Sequence, residues 1–463
     1  MDDAVHEEAV PDEVSPETFA LARHIASAPG RELPAEVAER GRMHLLDSLA
    51  SAVSGRSLEA GQRGLAWLEA TAPAVGPATV LGTSRRAAPF AAALANGMAA
   101  HADETDDSHQ ASLTHPGCSV LPAALAAAEA AGASGATLLR AVVVGYDVAA
   151  RVGATVRSAE QHRDAGRWAS HPVIGTFAAT AAAAAAAGLD ETQVRHLLSY
   201  AADLASGVTT WVRDTHHVEK AFVFAGMPAS NALLATSLVA AGCDGVEDVF
   251  SSSPNWLEAA HPGAERGGLV AGLGSDFGVM GATVKKYAVG SPSQAAVEAM
   301  VTLIGRGLTA EETEEVAVHL APEGLVVVND RKMPNVNAQY LLAGTLVDGA
   351  FSMRMAHDAE RLASPEIRAV MARITLVPDE SLRGTRAALL RVRRRDGSTL
   401  KEDVRAVRGT PADPMSFEEV AVKAADLLSG ALGAPAARHV VELCSGIETL
   451  RDLAPLQGAL VGR

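Results

Sequence analysis

The sequence predicts a mainly α protein in which a large all-helical part is joined to a smaller α+β part. From about Ser15 to Val249, apolar residues recur with the 3.6-residue period of a helix. After about Gly263 the pattern changes to alternating, valine-rich segments between helices, which predicts an α+β part at about residues 270–405. From Ser416 onward the helical pattern returns. The chain has 463 residues, which is ample for a large buried core.

The helical segments of the first part carry their own start and stop signals. Residues 36–55 are periodic and end in glycine, and residues 119–153 predict two helices that break at AGASGA. Asp190 is a candidate cap for the next helix, and residues 231–245 predict another helix with a glycine end. The alanine run at 180–190 is too short and too weakly apolar to cross a membrane, so it predicts a tightly packed buried helix.

In the α+β part, three segments alternate or carry valine runs and therefore predict strands. They are residues 315–328 (EVAVHLAPEGLVVV), residues 372–381 and residues 387–409. The last segment contains Asp396-Gly397, a dipeptide typical of a hairpin turn. Helices are predicted between the strands at 293–307 and 337–352, and after them at 416–432 and 439–453.

Charge and cysteine usage exclude several classes of protein. The formal net charge of −16 would repel a phosphate backbone, so we expect no nucleic-acid partner. Three cysteines, far apart and without a CxxC pair, argue against a disulfide framework or a zinc site and favour a cytoplasmic location. Residues 1–14 are acidic and lack an apolar core, so we expect a flexible leader rather than a signal peptide. No membrane partner is expected.

Four carboxylates and three histidines lie within seventeen residues, in the stretch HADETDDSHQASLTHPG from His101 to Gly117. One interpretation is a solvated polar loop that caps the next helix. A magnesium cluster would need oxygen ligands from a second motif, and zinc on His109 and His115 would need a third ligand with clear spacing. Neither is found, so we expect no metal and interpret the stretch as one wall of an active site.

Four other segments place polar side chains beside apolar helices. Arg167 and His171 precede the alanine-rich helix, where arginines and the helix N-terminus would favour an anion. Lys220 directly precedes the apolar segment AFVFAGM, so it either snorkels or has a function. The remaining segments are VKKYAVGSPSQAAVEAM, with Lys285 and Lys286, and MPNVNAQYLLAGTLVDG, with Tyr340. Each one alone is better explained by a structural role.

Taken together and in order, these segments resemble the MmgE/PrpD family. The stretch NGMAAHADETDDSH…LTHPG is similar to the family pattern NG-x-x-x-H…DD-[ST]-H…HP, and the resemblance runs from about Leu45 to Lys423. It implies a large helical domain built from both chain ends, residues 15–265 and 406–463, with a smaller α+β lid, residues 270–405, inserted between them. It also implies activity without a metal or organic cofactor, a small carboxylate substrate and a homodimer.

The resemblance assigns roles to particular positions. The family's DD-[ST] falls on Asp106, Asp107 and Ser108, and Glu104 takes an acidic position where aspartate is usual. Lys220 lies one residue out of register with the family's glycine. The implied catalytic residues are His115, Lys220, Lys285 and Tyr340, with Glu104, Asp107 and Ser108 contacting the substrate.

Two positions depart from the family pattern. The place of the second family histidine holds Ala169, and the nearest substitute is His171, which we expect to be catalytic. The arginine and histidine that often follow the K-x-Y turn are replaced by Ser291 and Gln294. We expect these two residues, together with Arg167 and Lys286, to contact the substrate.

This set of side chains suits removal of a proton from the carbon next to a carboxylate. The transition state puts a second negative charge on that group, which fixed lysine cations would offset, and histidine fits the role of base. His171 or Tyr340 would then protonate a leaving hydroxyl or the other face. We predict a dehydratase of a small hydroxy-di- or tricarboxylate. The alternatives are an epimerase or decarboxylase on the same scaffold, or a non-catalytic carboxylate-binding protein.

Overall fold

The computed structural model of the chain describes residues 14–71, 75–160 and 169–462. The predicted leader, residues 1–14, lies outside these ranges except for Val14, and Arg167 also lies outside them. The fold is mainly α, as the sequence predicts. In the first half of the chain the α-helices are α1 (Pro16–Ser27), α2 (Ala35–Gly55), α3 (Glu59–Thr71), α4 (Pro89–Ala100), α5 (Gly117–Ala131), α6 (Gly135–Glu160), α7 (Ser170–Ala187), α8 (Glu191–Leu204), α9 (Val218–Ala221), α10 (Met227–Ala240) and α11 (Trp256–Ala260).

The second half of the chain carries the main sheet together with further helices. The strands, including three short ones from the first half, are β1 (Ala78–Thr79), β2 (Arg86–Ala87), β3 (Ser108–His109), β4 (Ala282–Thr283), β5 (Thr313–Leu320), β6 (Ile374–Pro378), β7 (Ala388–Arg394) and β8 (Thr399–Val404). The helices are α12 (Gln294–Gly305), α13 (Pro322–Val328), α14 (Ala338–Asp348), α15 (Met353–Ala356), α16 (Ala359–Leu362), α17 (Pro365–Met371), α18 (Phe417–Leu432), α19 (Ala434–Ser445) and α20 (Ala454–Ala459).

Both ends of the chain build the larger of the two main hydrophobic cores. Its buried side chains come from residues 21–284 and again from residues 420–460. The alanine-rich helix α7 is buried along nearly its whole length against α5, α6 and α10, because small side chains let the helix axes approach closely. On α18, the Lys423 ammonium group reaches back to Asp47 of α2 at 2.7 Å. The two chain ends are therefore joined by an ion pair as well as by apolar packing.

The second core draws its side chains from residues 287–407 and contains the four-stranded sheet. The strand order is β6-β5-β7-β8, with β5 parallel to β6 and the other two pairs antiparallel. Asp396 and Gly397 form the predicted hairpin turn between β7 and β8, with Arg393 opposite Thr399. Helices α12 and α14 cover the sheet. We call residues 287–407 the α+β part; its role as a lid stays a prediction.

One strand prediction is wrong. Residues 315–328 were expected to be extended throughout, but the strand ends at Leu320 and residues Pro322–Val328 form helix α13. Pro322 takes the first helical position, where its fixed φ and missing N–H are favourable, and this outweighs the β-propensity of the valine run. Val326 is 76% exposed, so the run is not the buried strand that its composition indicates.

A short pairing between β3 and β4 joins distant segments at the edge of the larger core. Ser108 pairs with Thr283 and His109 with Ala282, in antiparallel register. This ladder places the residues just before Ser108 beside the residues just after Thr283. The stretch around Asp106 and the lysine at 285, which are 179 positions apart in the sequence, are thereby brought into contact.

Helix α9 continues through a π-helical turn, Phe222–Gly226, into α10, and this run packs tightly on α4. Gly97 is the point of closest approach, since a Cβ there would lie 2.8 Å from the carbonyl carbon of Ala225. By length and composition alone, the run Val218–Ala240 would suffice to cross a membrane, but 56% of its apolar window is buried in the fold. The same test is passed by core helices of globular proteins.

We predict that Gly97→Ala destabilises the protein, while Gly430→Ala stabilises it. A methyl group at 97 would clash with backbone atoms of the π-helical turn, which should cost about 1–3 kcal/mol. Gly430 lies inside α18 with no atom within 4 Å of an added Cβ, so alanine there should gain roughly 0.5–1 kcal/mol. Urea unfolding followed by circular dichroism measures both. A Gly97→Ala midpoint at or above the wild-type value would contradict the close approach.

Candidate active site

The acidic stretch between α4 and α5 is almost entirely buried. We call residues 101–116 the acidic loop. Asp103, Glu104, Asp106 and Asp107 are each at most 1% exposed, so the alternative of a solvated charge run is wrong. Glu104 adopts φ of +57°, a conformation that non-glycine residues rarely take and that concentrates at functional sites. His217, which faces this residue, has φ of +60°.

Glu104 lies between two ammonium groups. Lys220, on the short helix α9, donates a very short hydrogen bond to one carboxylate oxygen, and Lys285 donates to the other at 3.0 Å. Burial alone would raise the pKa of Glu104, but the charges of Lys220 and Lys285 hold it well below its usual range. The same contacts, together with Asp106, raise the pKa of Lys285 despite its burial. Glu104 and Lys285 are therefore both charged at neutral pH.

Asp106 joins this ion pair to two histidines. Its carboxylate accepts from Nδ1 of His101 at 2.8 Å and from Lys285 at 3.3 Å, and Nδ1 of His115 lies 3.3 Å away. Although burial acts in the other direction, His101, Lys285 and His115 hold the pKa of Asp106 well below its usual range. Asp106 is thus an anion that can offset a positive charge on His115.

Asp107 turns away from these groups and fixes the loop to the helices behind it. One carboxylate oxygen accepts from the backbone N–H of Gly117 at 2.9 Å, and the other accepts a very short hydrogen bond from the Tyr146 hydroxyl and lies 3.1 Å from His44. Gly117 leaves no room for a side chain, since a Cβ would lie 2.3 Å from Oγ of Ser48. This packing accounts for the glycine in the HPG sequence.

The backbone of Asp107 sets the tautomer of His115. Nδ1 of His115 lies 2.6 Å from the Asp107 carbonyl oxygen, which can only accept, so we assign the proton of the neutral ring to Nδ1. Nε2 then carries the lone pair. It has no hydrogen-bond partner among the described residues, and the ring opens onto a cavity. His115 is therefore placed to exchange a proton with a molecule in that cavity.

The cavity has a volume of about 100 Å³ and lies between the acidic loop and the α+β part. Lys220 and His171 lie on the helical side, next to the rings of Trp211 and Phe224. The Lys220 ammonium group lies 5.2 Å from the centre of the Phe224 ring, within the range of a cation–π interaction. From the α+β part, the wall is formed by Gly290, Ser291, Pro292, Val327, Val336 and Arg386. The cavity is small, mostly apolar and edged by fixed cations.

Neutral histidines surround the cations. Burial, and then the charge of a neighbouring cation or histidine, lowers the pKa of His171 and of His217 well below the usual range. Burial lowers the pKa of His101 to about 4, even though Asp106 opposes the shift. The His171 ring stacks on Phe224 at 3.7 Å between centroids and lies 5.2 Å from the His115 ring. His115 and His171 therefore stand side by side on one wall.

The structure brings some predicted site residues to the cavity and places others elsewhere. His115, His171, Lys220, Ser108 and Ser291 line it. Directly behind this lining, the buried layer contains Glu104 and Lys285, with Asp107 further back. Arg167 lies outside the described residues.

Three further predicted residues lie neither in the cavity wall nor in the buried layer behind it. The Lys286 ammonium group is 36% exposed and pairs with Glu298 at 2.8 Å. Gln294 donates to the backbone carbonyls of Tyr287 and Val289, so it shapes the turn after Lys285. Tyr340 lies in the second core. Its hydroxyl lies 2.7 Å from the carbonyl oxygen of Met355, and burial raises its pKa to about 12.

Four residues of the site were missing from the predicted set. His101 and Asp106 lie inside the motif already noted, and His217 is three positions before Lys220, so proximity in sequence was an available signal. Arg386 lies in the loop between the short turn at Glu380–Leu382 and β7, and nothing in its sequence context distinguishes it from other arginines.

Two groups of side chains have the geometry of a metal-binding set: His101 with Asp106 and His115, and His101 with Glu104 and His217. In each group the ligand atoms lie within 4.8 Å of one another. Both carboxylates already accept hydrogen bonds from Lys285. A divalent cation would lie beside that ammonium charge in a buried site, where like charges repel strongly. The arrangement suits proton transfer better than metal binding, and metal independence stays a prediction.

The chain is similar to known proteins along nearly its whole length. The MmgE/PrpD N-terminal domain matches residues 20–267, and the MmgE/PrpD C-terminal domain matches residues 287–447. A cis-aconitate decarboxylase of Aspergillus terreus is 24% identical over 463 aligned residues, which cover 92% of each chain. The human cis-aconitate decarboxylase is 24% identical over 420 residues, or 81% of this chain and 80% of its own. A cis-aconitate decarboxylase-like protein of Aspergillus oryzae is 31% identical over 251 residues, or 51% of this chain and 49% of its own.

The boundary between the two domain matches lies where the second core starts, while the C-terminal match also takes in α18 and α19 of the larger core. The first ends at residue 267 and the second begins at residue 287, where the second core starts. The resemblance inferred from the sequence motifs is confirmed: the chain belongs to the MmgE/PrpD family.

Proposed function

We propose that the protein is a lyase that acts on a small polycarboxylate by proton transfer at the carbon next to a carboxylate. The observation that carries this proposal is the meeting of two groups at one cavity. The Lys220 ammonium group and Nε2 of His115, which has no partner in the described part of the chain, both reach the same small, largely apolar space. We further propose that the reaction needs no metal or organic cofactor, and that the protein is a cytoplasmic homodimer. These last points rest on the family resemblance and the cysteine usage.

The proposed chemistry depends on the negative charge that develops on the substrate carboxylate in the transition state. Breaking a bond at the carbon next to a carboxylate leaves an electron pair that spreads into the carboxylate and gives it dianion character. Lys220 is a fixed cation in a water-poor site, where such an interaction is strongest. His115 carries the proton to or from that carbon. Asp106, 3.3 Å from its Nδ1, offsets the charge of the ring whenever it is protonated.

Decarboxylation is the reaction we expect first. The C–CO₂ bond breaks, CO₂ leaves, and the electron pair takes up a proton at that carbon or at its allylic neighbour. The proton comes from Nε2 of a doubly protonated, cationic His115 ring, which is left in the neutral Nδ1–H form. The Aspergillus terreus relative that aligns over 92% of both chains carries this activity in its name. In addition, no carboxyl or phenol group among the described residues lines the cavity, so the proton for a departing hydroxide would have to come from Lys220 or a protonated histidine.

Dehydration is the second candidate, and one observation favours it. With Nδ1 donating to the Asp107 carbonyl, the neutral His115 ring presents a lone pair, which removes a proton rather than delivers one. The electron pair left on carbon would then expel hydroxide from the neighbouring carbon, and that hydroxide would leave as water once protonated. The Lys220 ammonium group is a cation of the wall that could supply this proton.

Epimerisation is not favoured by the placement of the histidines. A two-base epimerase needs proton donors on opposite faces of one carbon. His115 and His171 are stacked with ring centroids 5.2 Å apart, whereas a carbon between two rings would need about 7 Å, or twice the van der Waals contact distance. Both histidines would therefore contact a substrate carbon from the same side.

We predict that His115→Gln and Lys220→Met each lower kcat by about 10²-fold or more, the usual scale for loss of a general base or of an electrostatic stabiliser. The controls are His439→Gln and Lys401→Met, because both residues are exposed and lie away from the cavity. Steady-state kinetics and unfolding midpoints are measured together. A folded His115→Gln protein with a near-normal rate would contradict the assignment.

The reaction type is read from cis-aconitate turnover in D₂O by EDTA-dialysed protein, followed by NMR. Decarboxylation should release CO₂ and place one deuterium on the product carbon. A dehydratase running in reverse should release no CO₂ and should give a hydroxytricarboxylate with one deuterium next to a carboxylate. Turnover without deuterium, or no turnover of cis-aconitate or other small polycarboxylates, would contradict the proposal.

A further inference from the structure

The wall contributed by the α+β part carries an arginine without a partner. Arg386 lines the cavity, and among the described residues it makes no hydrogen bond or ion pair. Its Nε atom is fully buried. A guanidinium group stays protonated in proteins, and leaving its Nε–H donor buried without an acceptor is costly. This arginine therefore lacks the anion that its position calls for.

Within the described ranges, no neighbouring group supplies that anion. The carboxylate there whose charge acts appreciably on Arg386 is that of Glu323, which already accepts from the backbone N–H of Gly384 at 2.6 Å. Burial outweighs it, so the pKa of Arg386 is lowered. The cavity side of the group is bordered by apolar side chains, among them Pro292 and Val327.

Ser291 adds a second donor to the same wall. Its hydroxyl oxygen is buried and has no hydrogen-bond partner in the described part of the chain, and the residue lines the cavity beside Pro292. A hydroxyl and a guanidinium group that share one cavity and lack acceptors form a natural pair of donors for a carboxylate. The described wall of the α+β part offers no carboxylate in return.

We propose that Arg386, assisted by Ser291, binds a second carboxylate of the substrate, one that does not adjoin the reacting carbon. The reacting end then lies at His115 and Lys220, and the remote carboxylate lies against the α+β part. This assignment rests on the proposed function for the reaction itself, but the binding site stands on its own contacts. It makes Arg386 a specificity-determining residue that selects polycarboxylates over monocarboxylates.

The test measures binding of tricarballylate, a saturated tricarboxylate without a double bond to react, and of butyrate as the monocarboxylate. Arg386→Gln should weaken tricarballylate binding about 10- to 100-fold and leave butyrate binding unchanged, because hydrogen bonds to charged groups are of that strength. Arg386→Lys keeps the charge but loses the planar fork, and it should give an intermediate loss. Arg383→Gln is the matched control, since Arg383 is 60% exposed and pairs with Glu380.

The outcomes test the carboxylate-binding site formed by Arg386 and Ser291, which we call the subsite, independently of the proposed reaction. Weakened tricarballylate binding in both Arg386 variants, with normal binding in Arg383→Gln, supports the proposed carboxylate-binding site. This holds even if the protein does not turn over cis-aconitate. In that case only the proposed reaction is wrong. Tricarballylate binding as tight as wild type in Arg386→Gln overturns the subsite. If Arg386→Gln does not fold, wild-type affinity in Arg386→Lys overturns it. Failure of the wild-type protein to bind tricarballylate overturns it as well.

Discussion

The site depends on one buried carboxylate, Glu104, held between the ammonium groups of Lys220 and Lys285. With Asp106, these four side chains make two cations and two anions that are almost fully removed from water. Such a cluster is tolerated only while it is complete, because loss of one partner of a buried pair commonly costs about 3–5 kcal/mol. The cluster therefore fixes the positions of three separate segments of the chain.

Each of those segments is held by its own local structure. The acidic loop is fixed by Asp107, which joins the start of α5 to Tyr146. Lys285 is brought in by the pairing of β4 with β3. Lys220 sits at the head of a helix whose π-helical turn packs on α4 at Gly97. A π-helical turn accommodates one extra residue in a helix, and such turns are frequent at functional sites.

Helix positions and the family were predictable from sequence because they depend on local periodicity and on motifs of neighbouring residues. The hairpin turn at Asp396-Gly397 was predictable from the same kind of local signal. The strand predicted for the valine run after Pro322 was wrong, because a proline at the first helical position favours a helix there. Within the site, His115 and Lys220 lie in recognisable motifs. Tyr340 and Lys286 lie in equally recognisable motifs, yet neither reaches the cavity. Tyr340 is buried in the second core, and Lys286 is exposed to solvent. Arg386 had no local signal, because only the tertiary structure leaves it without an anion.

The central claim is that His115, in its neutral form, is protonated on Nδ1 and presents its Nε2 lone pair beside the cations Lys220 and Lys285, while burial keeps His101, His171 and His217 neutral. ¹⁵N NMR of histidine-labelled protein between pH 6 and pH 8 tests it most directly, with His115→Gln used to assign the signal. Because the pKa values of His101, His171 and His217 are lowered, we predict that these three rings stay neutral across the range. In its neutral form, His115 should be the Nδ1–H tautomer. A neutral His115 protonated on Nε2, or charged rings at the other three positions near pH 7, would contradict the claim.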